Sequence, residues 1–219
     1  HRTHRKATPF WQILYGPDGH RYELRSTCSG HTLNCAGCHR LLSPSGPMTE
    51  FHIIPLDQVD KAWVEELLDQ VFGADRASRT IYRVREGLTA LPALSFAALD
   101  DQEYLVGTIQ CWPVALTDPN GLSFPMILVG PVSVAPDHQD QGIGRALMAA
   151  VFGALGVGEK LPLVLLGDPE YYGKRFGFSA DRTGGWTLPG PYEQHRLLAM
   201  VRPDLAVPEK GMLGPWRMV

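Results

Sequence analysis

Between Val132 and Met148 the chain reads VSVAPDHQDQGIGRALM: an apolar strand, a polar turn, two glycines one residue apart, then an apolar helix. A strand that delivers glycines to a helix start builds a site for an anion. Gly142 and Gly144 remove β-carbons where a ligand must approach the backbone. The first helical turn holds N–H groups with no partner inside the helix. The helix dipole adds about half a positive charge at that end.

Spacing separates the kinds of phosphate loop. No Gly-Lys-Ser or Gly-Lys-Thr occurs, which excludes a P-loop. The dinucleotide fingerprint needs a third glycine where Leu147 stands, and an acidic residue about 20 positions further on, where residues 161–166 are apolar. The pattern Gln/Arg-x-x-Gly-x-Gly/Ala is met by Gln139, Gly142 and Gly144. With that loop, the run GPVSVAPDHQDQGIGRALM resembles the fourth strand, diphosphate loop and third helix of the GNAT (GCN5-related) N-acetyltransferases. The run LVLLGDPEYYGKRFGFSA is similar to that family's fifth strand, fourth helix and following Gly-Phe.

The resemblance implies an α/β (α+β) GNAT fold: a mixed central sheet with helices on both faces and a splayed V between the fourth and fifth strands. Acetyl-coenzyme A (acetyl-CoA) is then the cosubstrate. Backbone groups of Val132, Ser133 and Val134 pair with its pantetheine arm, and an N–H near Val134 faces the oxyanion. Gln139, Asp140, Gln141, Gly142, Ile143 and Gly144 hold the diphosphate. Arg145 either bonds phosphate or stands as a solvated helix residue. The sequence contains its own reason for a distorted strand: Pro131 lacks a ladder N–H, which marks either a bulge or a plain edge position.

Attack of a neutral amine on a thioester needs an oxyanion donor, a proton acceptor and a proton donor for sulfur. The resemblance assigns the last role to a tyrosine on the helix after the fifth strand. A phenol near pKa 10 suits a thiolate near 8.5. Tyr172 is the first choice and Tyr171 the reserve, because the family tyrosine stands four residues before the Gly of Gly-Phe, and here that position is Gly173. An aromatic pair that only packs the helix is the competing reading. The base is unassigned: residues 124–134 contain no acid, Ser133 is their one polar side chain, and Glu170, Asp137 or water could serve. His138 is expected to face solvent. The expected function is transfer of acetyl to a primary amine, of a small molecule or else of a protein. A catalytically silent acyl-CoA sensor on the same fold is the alternative.

Composition narrows the partners. A net charge of −3, 44% hydrophobic and 20% charged residues describe an ordinary globular chain with no basic footprint for nucleic acid. No apolar run spans a bilayer and no signal segment is visible. The expectation is a cytoplasmic monomer or homodimer, with neither nucleic acid nor membrane as partner. Residues 1–47 hold three of the four cysteines. They read as an extension, disordered or not native, with Met48 then the initiator and residues 48–219 the N-acetyltransferase domain. Cys28, Cys35, Cys38 and His31 or His39 could form a zinc site, and Cys35–His39 fits a haem attachment motif. With one Cys-x-x-Cys pair, free thiols are favoured and no metal is assigned.

Strands are expected at 51–56, 94–99, 104–114, 124–134 and 161–166, with a last one at 195–201. A helix capped by Asp57 should bury Val59, Trp63, Leu67 and Phe72, with Val64, Leu68 and Val71 beside them. A second helix is expected at 78–85 and an apolar one over 146–157. Asp118-Pro119-Asn120-Gly121 reads as a hairpin turn, and Asp168-Pro169 as a helix start. Antiparallel strands followed by a helical crossover make a mixed sheet.

Overall fold

A computed structural model describes residues 51–155 and 161–216, and the backbone of 11–15 and 21–25. The latter two segments pair as an antiparallel hairpin, β1 (Trp11–Tyr15) and β2 (Arg21–Arg25), which the sequence reading did not foresee. The candidate zinc and haem ligands at 28–39 lie outside the described residues, as does Met48.

An eight-stranded mixed sheet forms the centre. β3 (Phe51–Pro55) pairs antiparallel with β4 (Phe96–Asp100), which pairs with the long β5 (Leu105–Thr117). Pro92 opens a 3-10 turn that takes Leu94, so β4 starts two residues later than expected. β5 turns into β6 (Ser123–Val134) through residues 118–122, where the Asp118 carboxylate accepts from the N–H of Asn120 (2.9 Å) and of Leu122 (2.8 Å). This is an Asx-type turn of the expected kind.

Helix α1 (Lys61–Phe72) is capped by Asp60, whose side chain accepts from Ala62 N at 2.8 Å, and not by Asp57. Asp57 falls in a 3-10 turn, Leu56–Gln58, three residues too early to reach the first free N–H groups. The buried stripe is Val64, Leu67 and Leu68. Trp63 sits beside that stripe and is 56% exposed, against expectation. The second helical segment is broken into a 3-10 turn, Arg76–Ser78, and α2 (Thr80–Val84).

After β6, α3 (Ile143–Leu155) crosses to β7 (Leu163–Leu166), which pairs parallel with β6. The helix α4 (Pro169–Phe176) starts as read: the Asp168 side chain accepts from Glu170 N at 2.8 Å, and Pro169 takes the first helical position. Then come β8 (Gly185–Thr187), β9 (Leu197–Met200) and β10 (Lys210–Pro215). β9 is the strand expected at the end, but β10 follows it and pairs antiparallel with the far half of β5. β8 and β10 were missed.

Side chains alternate across the sheet. Ile109, Cys111, Ile127, Val129, Leu163 and Leu165 face α3 and α4 in one cluster. Val114, Leu116, Met126, Leu128 and Val164 face the side covered by Val84 of α2. Helices therefore cover both faces, and the sheet carries a core on each side. Among the described residues, no helix is long and apolar enough to cross a membrane.

Candidate functional site

β6 meets β7 only at Ile127–Leu163 and Leu128–Val164. Past Leu128 the two strands part. The cause lies in β6 itself: Ile109 of β5 opposes Val132, while Cys111 opposes Val129, so Gly130 and Pro131 together face Gln110. That extra residue is a bulge, and it bends the strand away. Of the two readings of Pro131, the bulge is the one observed.

The bulge also sets which backbone groups are free. Ala135 N donates to Val106 O at 2.8 Å. Alternation along an antiparallel ladder then turns the N–H and C=O of Val132 and Val134 away from β5, into the gap. Ser133 is directed otherwise. Its hydroxyl lies 2.7 Å from Thr108 Oγ1, and the side chain is buried between the strands.

The gap opens into a cleft of about 450 Å3 lined by β6, the 138–145 turn and α4. Val132, Val134, Gln139, Asp140, Gly142, Ile143, Gly144, Arg145, Tyr171 and Tyr172 all line it. Ser133 and Gln141 do not; the Gln141 amide donates to Asp137 O at 3.2 Å. Ala146 N donates to Gly142 O at 3.0 Å. The helix hydrogen-bond series thus begins there, and the N–H groups of Ile143, Gly144 and Arg145 have no acceptor four residues back. Gly142 has φ +83°, where only glycine rests without strain. Asp140 is also left-handed, at φ +63°.

Arg145 folds back over Gly142, where a β-carbon would stand 3.2 Å from its Nη2. Across the cleft, Tyr171 brings its hydroxyl to Gly144, and Arg175 lies over the Tyr171 ring at 5.4 Å. Neither Arg145 nor Arg175 is ion-paired among the described residues. Burial raises the Tyr171 pKa, and the two guanidinium groups pull it back down. Tyr172 lies deeper. Its ring occupies the space a side chain on Gly167 would need, directly after β7. Burial pushes its phenol up to about 12.

Three lining residues were missed: Val71 at the end of α1, His138 and Arg175. Arg175 was findable, one helical turn after Tyr171 on the same face. His138 corrects an expectation, since it faces the cleft and its Nδ1 is buried without a hydrogen-bond partner among the described residues. The two acids offered as bases are elsewhere. Glu170 is exposed and 3.8 Å from Lys174 Nζ, and Asp137 is exposed at the turn.

A family model described as an acetyltransferase (GNAT) domain matches residues 52–180, more than half of the chain. The chain belongs to the GNAT acetyltransferase family. The GNAT domain is similar to an Escherichia coli GNAT family N-acetyltransferase (YhbS), solved in complex with CoA. The two are 22% identical with a TM-score of 0.54, over 80% of this chain and 93% of that one. It is also similar to a GNAT family acetyltransferase from Brucella melitensis in complex with acetyl-CoA. Here identity is 25% and the TM-score 0.53, over 76% and 96% of the two chains. No curated protein gives a significant match. The GNAT cosubstrate is acetyl-CoA, and the cleft suits it. Helix-start N–H groups and two guanidinium groups with no ion pair among the described residues lie at one end of it, and backbone groups of Val132 and Val134 turn into the gap; donors of this kind suit a diphosphate and an amide-bearing arm.

Proposed function

We propose that the protein is an N-acetyltransferase that passes acetyl from acetyl-CoA to a primary amine of a small molecule, by direct attack with both substrates bound. One observation carries the reading. The gap between β6 and β7 opens into the same cleft that holds the free N–H groups at the start of α3. A carrier anchored at the helix by its charged end lays its other end along the bulged strand.

The carrier supplies an activated acetyl thioester. The N–H groups of residues 143–145 and Arg145 bind the diphosphate. The Val134 N–H stands in the gap as a donor for charge developing on oxygen. Tyr172, packed on Gly167 at the β7 arm, keeps its proton to high pH and delivers it to the leaving sulfur. Tyr171, beside Gly144, serves the diphosphate end. A cytoplasmic site of action and a monomeric or homodimeric state belong to the same proposal.

The silent sensor has one observation in its favour: Asp140 is the sole carboxylate among the residues lining the cleft, and it sits in the phosphate turn. Release of CoA thiol during incubation of the full chain with acetyl-CoA and a panel of amines decides between the two. Turnover with any amine supports the transferase. Tight acetyl-CoA binding with no thiol release across the panel establishes the sensor.

A further inference from the structure

On the sheet face away from α3, Arg85 is 7% exposed, a charged side chain taken almost wholly out of water. Its guanidinium is sandwiched between the Tyr82 ring at 4.0 Å and the Trp112 ring at 4.3 Å. An N–H group on Nη1 reaches Gln110 Oε1 at a long 3.3 Å, and the Tyr82 side chain also bonds the guanidinium. A guanidinium carries five N–H donors, and stacking uses its faces, not its edge. No carboxylate among the described residues forms an ion pair with it: Glu65, the acid whose charge reaches it, bonds Arg76 instead. Beside it, Trp112 Nε1 is buried with no acceptor among the described residues. A buried cation without a counter-ion and an orphaned donor in contact with it are costly in a folded core. An anionic oxygen removes both costs.

The position fits an acceptor site. Gln110 faces the bulge at Gly130 and Pro131, where β6 leaves β7. Its neighbours on β5, Ile109 and Cys111, point to α3, so Gln110 and Trp112 point to the opposite face. A carrier held at α3 and α4 fills its own side of the gap. The amine must then arrive from the side of Arg85.

Resting on the transferase reading, we propose that the acceptor carries a carboxylate close to its amine, and that Arg85 binds that carboxylate with Trp112 Nε1 as a second donor. The class is small aminocarboxylic acids, including amino acids. Arg85 selects the substrate and orients its amine toward the gap; it does not touch the reacting atoms.

The test uses the full chain with matched acceptors, each aminocarboxylic acid against its neutral primary amide, reading thiol release and, separately, calorimetric binding of the acceptor alone. A charge-assisted bidentate contact predicts kcat/KM and affinity about 10- to 100-fold higher for the acid. Arg85→Gln should abolish the difference between acid and amide, lowering kcat/KM and affinity for the acid about 10- to 100-fold more than for the amide. Trp112→Phe keeps the stack and should cost about 3- to 10-fold on the acid only. Equal rates and equal binding for acid and amide in the unaltered protein overturn the proposal, whatever Arg85→Gln does to folding. Equal loss on both acceptors in Arg85→Gln assigns the residue a purely structural role and also overturns it. Failure of the transferase reading shows differently, as no thiol release with either class, and the calorimetric arm still decides whether the carboxylate is bound.

Discussion

Tyr171 and Gly144 face each other across the cleft: a β-carbon on Gly144 would lie 3.4 Å from Tyr171 Oη and 3.8 Å from Val134 Cγ2. Helix α3, helix α4 and strand β6 converge on this glycine. Alanine fits at ordinary contact distance, and anything larger fills the space above the free N–H groups. Gly144→Val is expected to weaken acetyl-CoA binding by about 10-fold or more while the melting temperature moves by only a few degrees. Calorimetric titration checks it; an unchanged Kd would move the diphosphate away from this corner.

Arg175 reaches the same corner from α4 with no ion-pair partner among the described residues. Arg175→Ala should weaken binding about 3- to 10-fold at low salt, less at high salt. If the guanidinium serves the diphosphate, the loss is the same for CoA and for dephospho-CoA, which lacks the 3′-phosphate. A loss confined to CoA would reassign the residue to that phosphate.

Asp140 opposes the work of its own turn. It holds a left-handed conformation that costs about 1 kcal/mol without glycine, and it brings a negative charge to the cleft. Asp140→Gly is expected to raise stability by up to about that amount and to tighten acetyl-CoA binding a few-fold. Weaker binding in the variant would show that the carboxylate contributes to the site.

The two tyrosines should separate by kinetics. Tyr172→Phe should lower kcat about 100-fold with little change in acetyl-CoA affinity. Tyr171→Phe should act mainly on affinity. With its phenol near 12, Tyr172 remains a proton donor throughout the usual assay range, so kcat should show no descending limb below about pH 11 that disappears in Tyr172→Phe. Such a limb at lower pH would assign the proton to another group.

Burial raises Cys111 from 9.0 to about 12 and Tyr172 from 10.0 to about 12 in the folded state, and moves Tyr171 and Tyr192 in the same direction. A raised folded pKa means that the native state holds protons the unfolded chain has already lost. The resulting stability is complete below about pH 9 and declines as pH rises toward 12. The urea midpoint should therefore fall over that window, and fall less steeply in Tyr172→Phe. A midpoint that is flat to pH 12 would contradict the burial of both groups.

Much of the site was legible because its signals are contiguous. Gly142 and Gly144 are set by the turn they make, Asp168 and Pro169 by the helix they begin, and Asp118 by the hairpin it caps. Each is a bargain struck between neighbours along the chain. Ser133 and Gln141 were included because the loop and strand around them belong to the site, yet strand alternation turns one into the β5–β6 contact and the other bonds its own turn. Asp57 and Trp63 misled for a related reason: a shift of three residues in the helix start, and a step of one around its axis, move a side chain from core to solvent.

Read alone, the chain establishes a strand–turn–helix with glycines at its corner, the order of the elements next to it and a pair of tyrosines on the helix after the following strand. Folding in three dimensions decides that β10, a short segment with glycines at 211 and 214, joins the far half of β5. It also brings Arg175 over Tyr171 beside Gly144, and closes Tyr82 and Trp112 around Arg85. Tyr171 lies 27 residues from Gly144, and Trp112 lies 27 residues from Arg85. Local propensity is blind to such pairings, because burial summed over the whole molecule selects them and no neighbouring residue carries their signal.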